Sequence, residues 1–225
     1  MSAFVPLVHA GLLVGLALVC LVDRRLARAC LAFIGFALMM ALAWWHLGAP
    51  WLGLAEALFG ALFTGLALLH ALGTWSREPG PPSHDHFLRR RRQVPIRLLV
   101  AVAWAILVAM GVGLLLGTGV VELLAEGRRR PLLPAGLAIM TLGAWAFATH
   151  THLLRRLLAF NLLGSGIFLL LAGLAGARAE VQALILVGLV VAWLGTLLGA
   201  VLIRRLHALE SRVTLVAEDE PGGGE

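Results

Sequence analysis

Long runs of apolar residues, each ending in a cluster of charge or a turn, recur from one end of this chain to the other, at about 3–22, 29–47, 52–73, 96–124, 132–149, 157–177 and 181–203. A hydrocarbon layer roughly 30 Å thick takes about 20 residues of helix to cross. The expected fold class is therefore all-α, a polytopic membrane protein with about seven transmembrane helices. Composition points the same way, since 60% of residues are apolar and only 13% charged, where a soluble domain carries about 25%. That excludes a soluble enzyme, a disordered chain and a domain that binds nucleic acid in water. The lipid bilayer is the solvent.

The first run has no positive segment before it and no small-residue cleavage site after it, so it reads as a retained span. Asp23, Arg24, Arg25 and Arg28 close it. Gly48-Ala49-Pro50 reads as a tight turn, because proline is tolerated at a helix start and not inside one. Residues 74–95, with Pro79, Pro81, Pro82 and the run Arg89 to Arg92, form a polar boundary, and the arginine run suits anionic lipid or a partner. The 96–124 run is longer than a bilayer needs, which implies tilt or a protruding end. The expected units are thus 1–73, a connecting loop and span over 74–131, a second unit over 132–207, and a polar, disordered tail over 208–225. Cytoplasmic loops are rich in Arg and Lys. The loops at 23–28, 77–97 and 150–156, with Arg204-Arg205, fall on one side by alternation, giving an outside N-terminus and an inside C-terminus. The Arg128 to Arg130 loop then falls outside, against the rule.

All 18 basic residues are arginine. Ion-moving subunits that switch a buried lysine against a glutamate are thereby excluded as a model for this chain acting alone. Cys20 and Cys30 do not form a CxxC pair and read as packing residues. Of the twelve acidic residues, only Glu56 lies within a span. A carboxylate at membrane depth costs several kcal/mol unless it is protonated, paired or hydrated, so it needs a reason to be there. At 100° per residue, Glu56, Gly60, Phe63, Ala67 and His70 share one helix face within about 40°. The acid and the imidazole are about 21 Å apart along the axis, so other groups or water must complete any path between them. His9 and His46 are further candidates for such a proton pathway. Gly60, Thr64, Asn161, Ser165 and Thr196 are candidates to line a channel, although small polar side chains in spans also hold helices together. His84-Asp85-His86 and His150-Thr151-His152 do not make a metal site, because residues two apart on a helix do not share a face. No cofactor and no catalytic group is expected.

Two stretches carry a family resemblance. Leu47-Gly48-Ala49-Pro50-Trp51-Leu52-Gly53-Leu54-Ala55-Glu56-Ala57, followed by Gly60, resembles the small three-helix domain of Mrp-type multisubunit cation/proton antiporters and membrane-bound hydrogenases. That domain is related to the J subunit of respiratory complex I. The family pattern is close to GAPD-x-ALTEA, and its glutamate is implicated in proton movement. Glu56 matches the acid, while Trp51 replaces the Asp and Ala55 the Thr. Residues 132–207, through Leu153 to Gly166 and Val181 to Leu186, resemble the three-helix C subunit of the same antiporters, equivalent to the K subunit of complex I. The complex I relatives carry a membrane glutamate on each of the last two helices. Here those positions are Asn161 and about Leu194, a departure that favours the antiporter branch.

The resemblance implies a fusion of two normally separate subunits. The chain would be a non-catalytic part of a cation/proton antiporter or ion-translocating redox complex in the inner (plasma) membrane. Its partners would be larger antiporter-like subunits and other small subunits. Two alternatives stand beside it: a purely structural assembly subunit, or a self-contained seven-helix carrier, for which the sequence offers no cluster of polar residues to build a cavity.

Overall fold

A computed structural model describes residues 4–73, isolated positions between 103 and 117, 131–176 and 178–219, with side chains described as far as Leu209. The described chain is helical throughout. Helices α1 (Phe4–Val22), α2 (Leu26–His46), α3 (Pro50–Ala71), α4 (Leu132–Thr149) and α5 (Leu153–Ala175) are each long and apolar enough to cross a membrane, as is Ala179–Leu209 at the start of α6 (Ala179–Asp219). The expected spans are met to within a few residues. The seventh, at 96–124, lies largely outside the described residues, as does the Arg128 to Arg130 loop. The expectation of a disordered tail from residue 208 is corrected, because α6 continues as helix to Asp219.

Local chemistry sets the turns. Asp23 accepts a hydrogen bond from the Arg25 N–H through Oδ1 at 2.8 Å, fixing the reversal between α1 and α2. After α2 the chain reverses through Gly48, whose φ of +79° suits glycine, with the Ala49 N–H returning to the Trp44 carbonyl at 2.9 Å. Pro50 then opens α3, where its missing N–H costs nothing.

Packing relies on small residues, as expected where lipid offers no hydrophobic drive between helices. Along α3, a Cβ at Gly53 would meet the Ala41 carbonyl of α2 at 2.8 Å, and one at Gly65 would meet the Ile34 side chain. The α2–α3 pair is therefore an antiparallel hairpin in close contact. Between α4 and α5 the approach is backbone to backbone: a Cβ at Gly143 would meet the Leu163 N at 2.6 Å, and Gly166 faces the Met140 backbone. A buried cluster including Leu13, Phe36, Met40, Leu68, Leu158 and Ile185 runs through all six helices, so both halves of the chain share one core.

Arg155, near the start of α5, is 2% exposed and donates to the carbonyls of Cys20 and Leu21 at 3.2 Å each, and to that of Asp23. These are the carbonyls that the end of α1 leaves without helical partners. Arg204 of α6 donates to the His70 carbonyl at 3.2 Å. These contacts place the end of α1, the end of α3, the start of α5 and the Arg204 region at one arginine-rich end of the bundle. Gly73 lies at that end and Leu132 at the opposite end. Trp45 and Trp51 are exposed at the opposite end, as in an interfacial aromatic belt.

Candidate site around the buried glutamate

The middle of α3 is not an α-helix. Residues Glu56–Thr64 are wound as a π-helix, flanked by α-helical turns at Pro50–Ala55 and Gly65–Ala71. The Thr64 hydroxyl donates to the Phe59 carbonyl, five residues back, at 2.7 Å. π-winding exchanges i→i−4 bonds for wider i→i−5 bonds and is frequent at functional positions.

Glu56 opens this segment and is 2% exposed. Trp44 of α2, itself fully buried, donates its indole N–H to Glu56 Oε2 at 3.2 Å. The other carboxyl oxygen lies over Gly60, where an added Cβ would collide with it, and that same Cβ position is 3.5 Å from Ala37 of α2. The carboxyl thus sits in a notch between α2 and α3 made by one glycine and one alanine, with one indole donor reaching it. On the far side of the π segment, Phe59 and Phe63 pack against Trp193 of α6, with ring centroids 5.7 and 5.4 Å away.

The expected stripe of Glu56, Gly60, Phe63, Ala67 and His70 does not form one face. Glu56, Gly60 and Ala67 are buried, Phe63 turns to Trp193, and His70 is exposed at the arginine-rich end. The reason is the π-winding, which rotates the chain less per residue than the 100° used to draw the stripe. Thr64, buried, replaces Phe63 on the inner side.

His9 and His46 come together at the opposite end, with ring centroids 5.4 Å apart in an edge-to-face arrangement. His9 is buried and its Nε2 lies 2.9 Å from the Met39 carbonyl, so that nitrogen carries the proton. His46 is exposed. Antiparallel packing puts this pair toward the same end of the bundle as Trp44 and Glu56, with His70 at the other.

Asn161 and Thr196 meet across α5 and α6. The Asn161 amide donates to Thr196 Oγ1 at 2.8 Å and to the Leu157 carbonyl at 2.9 Å, and the Thr196 hydroxyl reaches the Ala192 carbonyl at 2.8 Å. Both amide hydrogens are consumed in this clamp. Ser165, one turn along α5, is also buried. Among the described residues no group of three or more His, Cys, Asp or Glu could hold a metal ion.

Two positions escaped the sequence reading. Trp44 carried a signal, because a buried indole takes a hydrogen-bond acceptor and the adjacent span holds the one intramembrane acid. Arg155 stands at a span end, where arginine normally reaches headgroups, and nothing in the sequence marks it as buried.

Residues 11–77, which contain most of α1, all of α2 and α3, Trp44 and Glu56, match the MbhD family of membrane-bound hydrogenase (MBH) subunits. No curated protein and no solved structure matches the chain.

Proposed function

We propose that this chain, whose residues 11–77 match the MbhD family of MBH subunits, is a non-catalytic component of a cation/proton antiporter or ion-translocating redox complex. In this reading Glu56 is a station on its proton pathway. The observation that carries it is the carboxyl held between α2 and α3 on a π-wound segment, with a single indole donor. A purely structural carboxyl in lipid gains most from full hydrogen bonding. Glu56 instead takes one indole donor on Oε2, while Oε1 lies against Gly60 and close to Ala37, which offer it no side-chain donor. His9 and His46 would extend the pathway toward the end where Trp51 is exposed. His70 belongs to the opposite exit and needs intervening groups. Asn161, Ser165 and Thr196 serve this reading as helix clamp and scaffold, with Thr64 and Gly60 shaping the channel wall.

Residues 132–207 would act as the second, C-like unit, docked on the first through Arg155 and α6. The arginine-rich end would be cytoplasmic by the positive-inside rule, in a plasma membrane, with larger antiporter-like subunits alongside.

The test is Glu56→Gln in the intact complex, which keeps shape and hydrogen bonding and removes the exchangeable proton. Assembly should survive, as judged by co-purification of the other subunits, and proton-coupled ion movement in vesicles should be largely lost. Full transport by both Glu56→Gln and Glu56→Ala would overturn the pathway reading and leave a structural subunit.

A further inference from the structure

Among the described residues, a groove of about 320 Å³ opens on the surface of the bundle where α4, α5 and α6 meet, at the arginine-rich end. Its lining is wholly apolar, from Phe147, Leu153, Leu157, Phe160, Leu202 and Leu206 with the hydrocarbon stem of Arg156, whose guanidinium stands at the edge beside Phe147. Gly199 lies in the groove wall with Leu157 packed closely on it: an added Cβ would be 3.0 Å from one Leu157 methyl. Arg156 lies 4.8 Å over the ring of Phe147. A guanidinium held beside a ring can still present N–H donors to an anion in forked geometry.

Depth decides what fits. The neighbouring Arg155 caps the last carbonyls of α1, so this level is the end of the transmembrane helices, where headgroups lie. The groove extends from there along α6, past Leu206 and Leu202 toward Gly199, into the apolar part of the bundle. An apolar trough with one fixed cation at its headgroup end complements a molecule with a long hydrocarbon chain and an anionic head.

We propose that this groove is a binding site for one anionic phospholipid, with an acyl chain lying along Leu157, Phe160, Gly199 and Leu202 and the phosphate on Arg156. The site is independent of Glu56 and of the proton pathway. A basic residue beside a cleft between helices is a recurring means of retaining such lipids.

The experiment is lipid titration of the complex containing the full chain, delipidated in detergent, with phosphatidylglycerol or phosphatidylcholine in mixed micelles, read by native mass spectrometry. The chain should retain one phosphatidylglycerol in preference to phosphatidylcholine. Arg156→Gln should weaken phosphatidylglycerol about fivefold and leave phosphatidylcholine unchanged. Gly199→Leu, which fills the trough and keeps the charge, should weaken retention of both. A photoreactive residue at Leu202 should crosslink to lipid in native membranes. Equal retention of the two lipids, an Arg156→Gln variant that binds as the wild type does, or crosslinking at Leu202 to another protein of the complex would each overturn the assignment.

Discussion

Among the described residues one hydrogen bond, from Trp44, reaches the buried Glu56 carboxyl, and this makes its surroundings sensitive to single atoms. Trp44→Phe deletes the indole N–H that reaches Oε2 and, with the fused ring, leaves a small cavity at a fully buried site. Leaving a buried acceptor without its donor costs about 1–3 kcal/mol, so the variant should melt measurably lower. If the proposed pathway holds, it should also shift the pH dependence of coupled transport, which a merely structural tryptophan would not move. Gly60→Val tests how closely the carboxyl must sit against α3. Its Cβ would collide with Glu56 Oε1 and displace the carboxyl, so transport should fall even in complexes that assemble to normal yield. The acid itself was legible from the sequence, because charge in a span is costly enough to demand explanation. Its donor was only inferable, because tryptophan in a membrane protein more often marks an interface, as Trp45 and Trp51 do here.

Helices were the most readable level, since about twenty apolar residues leave the backbone no other way to satisfy itself in lipid. What the sequence did not announce was the winding within α3. Nine residues of π-helix, Glu56–Thr64, have a composition that an ordinary helix would also accept. Their effect is to break a helical stripe drawn at regular spacing and to send Phe63 toward Trp193 instead of inward. At the α4–α5 contact, Gly143→Leu would drive a side chain into the Leu163 backbone. Overpacking of this kind costs about 1–3 kcal/mol or more, and thermal unfolding of the purified chain should show it. For the Asn161–Thr196 clamp, a double-mutant cycle with Asn161→Leu and Thr196→Val should return a coupling of about 0.6–1.7 kcal/mol. Wild-type transport in the double variant would assign the pair to holding α5 against α6.

The two halves of the molecule meet through shared apolar packing and through Arg155. A guanidinium buried at the end of α1, 132 or more residues away in sequence, ties α5 to the first unit by three carbonyl contacts. Arg155→Met should lower stability by roughly 3 kcal/mol, since hydrogen bonds to charged groups are the stronger kind and the freed carbonyls stay buried. Limited proteolysis should then separate the halves more readily. Arg156→Met, one residue on and exposed, should leave the melting temperature nearly unchanged in detergent.

By itself the sequence determined that the chain is helical and crosses a membrane several times, where its turns fall, and that one acid needed a reason to be inside, because each of these follows from the local cost of exposing polar groups to hydrocarbon. Only the tertiary structure decided which residues surround that acid, that the middle of its helix is π-wound, that Arg155 is a buried cap while Arg156 lies over Phe147 beside an apolar groove, and that His70 stands apart from His9 and His46. Those outcomes depend on register between helices far apart in the chain, which is set by where small residues let backbones meet, and apolar patterning in lipid does not encode it.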